Sequence, residues 1–176
     1  MELEERVAEL ERRLAALERG DRAGGAADGA NRPEPRGPEG AFWALDLLKS
    51  ELAKAGSADG GVVYAGSVRL PAGERYEWQY GAYTDGLLDA DWSLTAECFA
   101  ALGHPVRLRL LHEILGGRRT TAELADLDEL GTTGQIYHHL RQLTGAGWLH
   151  TPGRGRYEVP APRVVPLLVM ITAAGP

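Results

Sequence analysis

Between Thr132 and Thr144 the chain carries Thr132, Thr133, Gly134, Gln135, Tyr137, His138 and Arg141, and no carboxylate at all. Hydroxyl, amide, imidazole and guanidinium groups are suited to base edges and phosphates. A glutamine amide can make two bonds to adenine, and an arginine can hold a guanine or a phosphate. Ile136, Leu140 and Leu143 follow at intervals of four and three, so they form one helix face and leave the polar groups on the other. Thr132-Thr-Gly-Gln135 has the T-x-x-Q form of a capping box, which starts the helix here. A helix N-terminus also favours an anion. This set implies reading of a nucleic-acid major groove. No Ser/His/Asp set or paired carboxylates point to catalysis, so an enzyme is not expected.

Several elements must position that helix. Thr120-Thr-Ala-Glu123 is a second capping box, followed by apolar Leu124, Leu127 and Leu130 and by Gly131 for a turn. Two short helices joined by a tight turn with glycine make a helix-turn-helix. After Gly145-Ala-Gly147, Trp148-Leu-His150 and Arg156-Tyr-Glu-Val159 read as a hairpin over the turn Thr151–Gly155. Arg154 and Arg156 flank its tip, so residues 148–159 are expected to form a wing that touches DNA backbone or minor groove. Upstream, Trp92–Leu102 reads as a helix stopped by Gly103. His104-Pro105 starts another, with proline at a first-turn position where its missing N–H costs nothing. The fold class expected is mainly α with β-hairpins (α+β), a winged helix-turn-helix.

Ala101–Leu111, Thr121-Ala-Glu-Leu-Ala125, Ile136-Tyr-His-His-Leu-Arg-Gln-Leu143 and Ala146-Gly-Trp-Leu149 together resemble the ArsR/SmtB-type winged-helix regulators, over about residues 95–173. The resemblance implies a homodimeric repressor whose recognition helix is Thr132–Thr144, and the single cysteine makes a reducing, cytoplasmic location the expected one. The resemblance also implies dimerisation through Trp92–Leu102 and Pro162–Ala174. The latter is apolar nearly all round, so it must be buried, and Leu167, Leu168 and Ile171 are its candidate interface residues. Metal-sensing members carry a cysteine pair near the first helix of the motif, or Asp, His or Glu ligands on the last helix. Thr121–Leu127 has no cysteine and Pro162–Ala174 has none of those ligands, so no metal and no cofactor are expected. Adjacent His138 and His139 point to different faces and do not make a zinc site, which needs three or four convergent ligands. The single cysteine, Cys98, excludes an internal disulfide and reads as core.

The remaining regions are less tied to that module. Residues 1–19 read as a coiled-coil helix, with Leu3, Val7, Leu10, Leu14 and Leu17 at alternating spacings of four and three. Arg6 and Arg13 would meet Glu11 and Glu18 of a parallel partner, which favours a parallel homodimer; a single helix packed on its own domain is the alternative. Residues 20–40, rich in glycine and proline, read as a flexible linker. Residues 41–90 form an accessory region of one helix, Ala41–Ala55, and a hairpin in which Val62, Tyr64, Val68, Leu70, Tyr76, Trp78 and Tyr80 alternate onto one face. That aromatic face is expected to cover the Ala41–Ala55 helix; a surface at 62–80 for an unknown small-molecule or protein effector is the alternative. Residues 91–176 complete the DNA-binding and dimerisation domain.

Bulk composition agrees with this division. The 176 residues, 44% of them hydrophobic, suffice for one modest core. The net charge of −6 lies wholly in residues 1–90, with 11 basic against 17 acidic side chains, while residues 91–176 hold eight of each. The C-terminal half is therefore the half a polyanion tolerates. No apolar run has the ~20 residues that a membrane helix needs, so no membrane partner is expected. Lysine occurs only at Lys49 and Lys54 while arginine is common, as in a GC-rich, bacterial genome. The expected partners are double-stranded DNA with a pseudo-palindromic operator and a second copy of the chain. The competing reading is a winged-helix protein-interaction module without DNA binding, whose recognition face would show carboxylates or large apolar groups instead.

Overall fold

The computed structural model describes residues 42–127 and 130–175. The expected coiled coil of residues 1–19, with its seam of Val7, Leu10, Leu14 and Leu17, and the linker of residues 20–40 lie outside the described residues. The elements run α1 (Trp43–Ala55), β1 (Gly61–Arg69), β2 (Arg75–Tyr83), α2 (Thr84–Asp89), α3 (Ser93–Leu102), α4 (Pro105–Leu115), α5 (Thr121–Ala125), α6 (Thr133–Gly145), β3 (His150–Gly153), β4 (Arg156–Glu158) and α7 (Ala161–Ala174). The architecture is α+β, a winged helix-turn-helix preceded by a helix and a two-stranded hairpin.

Helix α4 is central. Pro105 occupies its first turn and His104 caps it, with Nδ1 accepting from the Val106 amide at 3.2 Å. Its buried Leu110, Leu111 and Ile114 meet Leu124 of α5 and Ile136, Leu140 and Leu143 of α6 in one core. Trp148, only 1% exposed, closes that core between α6 and the wing. Its indole N–H donates to the Cys98 carbonyl at 3.0 Å, and the Arg163 guanidinium lies 4.9 Å from the ring centroid. Trp148 and Leu149 thus serve as core anchors, and the wing strand begins two residues later than the sequence suggests, at His150.

The accessory hairpin is packed the opposite way from the sequence expectation. Its antiparallel register pairs Tyr64 with Tyr80, Gly66 with Trp78 and Val68 with Tyr76. Residues directly opposite share a face, so these six lie together, with the Tyr64 and Tyr80 rings 5.9 Å apart. Val68 and Tyr76 of this face pack on the main core, and Gly66 lies against Val165 of α7. Helix α1 lies on the other face, where Gly61 leaves room for Leu52. That face carries Gly61, Val63, Ala65 and Ser67 opposite Tyr83, Gly81, Gln79 and Glu77. Its small residues along β1 let a helix approach. Part of the aromatic face packs toward the C-terminal helix instead, where Gly66 meets Val165.

Candidate nucleic-acid interface

Helix α6 starts as its capping box requires. The Gln135 amide N–H donates to Thr132 Oγ1 at 3.4 Å, and Gln135 Oε1 accepts from the Thr132 amide at 2.7 Å. The Thr132 hydroxyl lies 3.1 Å from the same oxygen. Gly131, at φ +88°, stands directly beneath this side chain: a Cβ there would lie 2.5 Å from Gln135 Oε1. Glycine therefore serves both the backbone conformation and the fold-back of Gln135. Ile136, Leu140 and Leu143 are fully buried, whereas Thr132, Thr133, Gly134, Gln135, Tyr137, His138 and Arg141 are exposed. All seven expected residues of this helix are thus exposed. The structure also narrows the role of Gln135. Its carbonyl oxygen is spent on the helix start, so in this conformation it offers only its NH2 group and not the two-bond match to adenine.

The wing is short. Gly153 pairs with Arg156 across the two-residue tip Arg154-Gly155, with Gly155 at φ +70°. The connection between α4 and α5 touches it through an isolated bridge from Thr120 to Arg156. The Tyr157 amide donates to the Arg119 carbonyl at 2.8 Å, and the Thr121 amide donates to the Gly155 carbonyl at 3.1 Å. Arg154 and Arg156 are both exposed. A four-group ion cluster lies at the wing's root. Arg119, with a side chain only 13% exposed, bonds Glu74 of the β1–β2 turn, and it bonds Glu158 of β4 at 3.3 Å. Arg156 Nε donates to the same Glu158 oxygen at 3.2 Å. The Glu74 carboxyl is held below the ordinary carboxylate range by a hydrogen bond from its own backbone amide and then by Arg119. Sequence reasoning missed Arg119, because its partners stand 45 and 39 residues away.

A second set of contacts seats α6. His104 and His139 stack with ring centroids 4.6 Å apart, and His138 lies 5.7 Å from His139. Arg107 donates to Gln142 Oε1 at 2.5 Å and to the Ala100 carbonyl at 2.9 Å, tying α3, α4 and α6 together. Burial, followed by the charges of His104, Arg107 and His138, pushes the His139 pKa below the usual 6.5. Half-buried Cys98 packs on the core and lies 3.7 Å from the Ala146 carbonyl. Among the described residues no three of His, Cys, Asp and Glu converge as metal ligands.

The candidate dimerisation residues separate. Leu167 is 2% exposed within the single chain, so it is a core residue and is withdrawn as an interface contact. Leu168 is half-buried against the same core, while Ile171 remains 47% exposed. The hairpin has taken over part of the cover that α7 was expected to find in a partner. Trp92, Leu94 and Phe99, at and within α3, are each more than half exposed. At the accessory region a cavity of about 530 Å³ opens between α1 and the hairpin, lined by Leu48, Leu52, Val63, Gly81 and Tyr83. No described helix is long and apolar enough to cross a membrane.

No protein-family model matches the chain. Over 79 residues it is 37% identical to the probable mercury resistance operon repressor of Streptomyces lividans, a match covering 43% of this chain. The chain spans 62% of that relative's length. The solved structure of M. tuberculosis Rv0081 is 29% identical and covers 47% of this chain and 85% of its own, with a TM-score of 0.40.

Proposed function

We propose that the chain is a DNA-binding transcriptional regulator of the ArsR/SmtB type, a homodimeric repressor that lays α6 in the major groove and its wing on backbone or minor groove. One observation carries this reading. The exposed face of α6 presents Thr133, Gln135, Tyr137, His138 and Arg141 with no carboxylate, on a helix seated by three fully buried side chains, and the hairpin that follows it exposes Arg154 and Arg156. The name of the Streptomyces relative supports repression. The exposed large apolar side chains Trp92, Leu94, Phe99 and Ile171 support assembly with a second copy, which would bury them. Two copies of α6 would then read half-sites about one DNA turn apart. The mercury in the relative's name is not carried over, since soft metals select thiolates and this chain has a single cysteine.

The test is a mobility shift on the promoter of the chain's own gene. Changing Gln135 and Arg141 together to alanine is expected to abolish the shift while far-UV circular dichroism is retained. A doubly changed protein that shifts the fragment normally would show that α6 is not the reading helix. A folded wild-type dimer that binds no promoter DNA would favour the protein-interaction module.

A further inference from the structure

Two arginines and two carboxylates meet where the accessory hairpin, the α4–α5 connection and the wing converge. Glu158 Oε1 receives both Arg119 Nη1 and Arg156 Nε. Arg119 is held inside, whereas Arg156 is half exposed and bonds Glu158 through Nε. Arg156 therefore faces two anions: Glu158 inward and, on the DNA-binding reading, a phosphate outward. Which of them holds it depends on how much of the Glu158 charge is already balanced. A partly buried carboxylate left with a single cation binds that cation more tightly than one shared between two.

We propose that Arg119 is a positioning residue for the wing, balancing Glu158 from within so that Arg156 stays available to a DNA phosphate. Glu74, supplied by the accessory hairpin, fixes the other edge of the guanidinium, so the hairpin contributes to DNA binding without touching DNA. The wing's backbone does not depend on this side chain. The Tyr157 amide bonds the Arg119 carbonyl and the Thr121 amide bonds the Gly155 carbonyl, and both bonds survive a side-chain replacement. The inference rests on the DNA-binding reading and specifies how its wing is held.

The experiment measures affinity for the promoter fragment by fluorescence anisotropy across a salt series, on the full chain. Arg156→Ala is expected to weaken binding about three- to tenfold and to lower the salt slope by about one, as loss of one phosphate contact does. Arg119→Met should reproduce both changes, although Arg119 touches no DNA. Adding Glu158→Gln to Arg119→Met should restore binding to within about twofold of wild type, because the carboxylate that bonds Arg156 is then gone. A merely structural role for Arg119 would not be rescued this way. The proposal is overturned if Arg119→Met binds as wild type, or if the added Glu158→Gln leaves it equally weak. Should Arg119→Met fail to fold, Glu158→Gln alone decides: binding equal to or tighter than wild type supports the proposal, and weaker binding overturns it. If Arg156→Ala binds normally, the wing's place in the DNA reading falls and this inference with it. A weakened Arg156→Ala beside a normal Arg119→Met removes this inference only.

Discussion

Gly66 of the accessory hairpin and Val165 of the C-terminal helix touch with no room for a methyl group between them: a Cβ at Gly66 would lie 2.7 Å from Val165 Cγ1. A valine in a helix is stiff at χ1 and cannot swing aside. Gly66→Ala is therefore expected to destabilise the protein by about 1–3 kcal/mol, the usual cost of overpacking a core. Adding Val165→Ala should recover part of that loss, a coupling that urea unfolding of the two single variants and the double variant would read. Additive losses would mean that the hairpin and α7 do not meet at this pair.

Gln135 serves two purposes that one substitution separates. Gln135→Glu keeps the capping-box acceptor, because glutamate fills the same position in the Thr120–Glu123 box. It removes the NH2 donor and places a negative charge on the surface proposed to face DNA. Thermal stability is expected to stay near wild type while promoter binding falls by at least tenfold. Thr132→Ala should do the reverse, costing about 1 kcal/mol of stability through the lost cap.

Acidification should destabilise the fold in two windows. The His139 pKa is depressed in the folded state, first by burial and then by neighbouring positive charge. The unfolded chain therefore binds the proton more readily, and stability falls as pH drops through about 6.5 toward the folded value. Glu123 is held below the ordinary carboxylate value, chiefly by the Thr120 hydroxyl. Its contribution is present above the unfolded value near 4.5 and is lost as pH falls further, through the lower folded value. Melting temperature against pH should show both phases in wild type. His139→Gln should flatten the first and leave the second.

Assembly is expected to depend on the exposed side chains at α3. Phe99→Asp combined with Leu94→Asp should yield a folded monomer by sedimentation velocity and abolish promoter binding, since the proposed dimer reads two half-sites together. A persistent dimer would place the interface elsewhere. Leu167→Ala is expected to act differently, lowering stability by about 2–5 kcal/mol because it empties a filled core position within one chain.

Much of the reading surface was legible because its signals are local. Thr120-x-x-Glu123 and Thr132-x-x-Gln135 each contain both halves of their own hydrogen-bonded box, so the helix starts were found to within a residue. The buried and exposed faces of α6 follow from a period of 3.6 residues, which a single segment carries by itself. The hairpin's two-residue alternation likewise sorted its residues onto two faces. It could not say which neighbour each face meets, and the expected partner, α1, lies on the wrong side. Leu167 failed for the same reason: an all-apolar helix announces that it is buried but not by what. Nor did the T-x-x-Q signature, read as a cap, restrain the separate expectation that Gln135 has a free carbonyl.

The sequence alone therefore determined most of the elements though not the short α2, their order, the helix with an exposed polar face and the absence of carboxylate on that face. Those properties depend on backbone hydrogen bonding and hydrophobic periodicity within a dozen residues. Tertiary structure decided that the accessory hairpin seals the last helix, that Gln135 is partly spent on its own helix start, and that Arg119 joins Glu74 to Glu158. These depend on which surfaces exclude water together and on charges far apart in the chain meeting at one partly buried point. No local pattern encodes either.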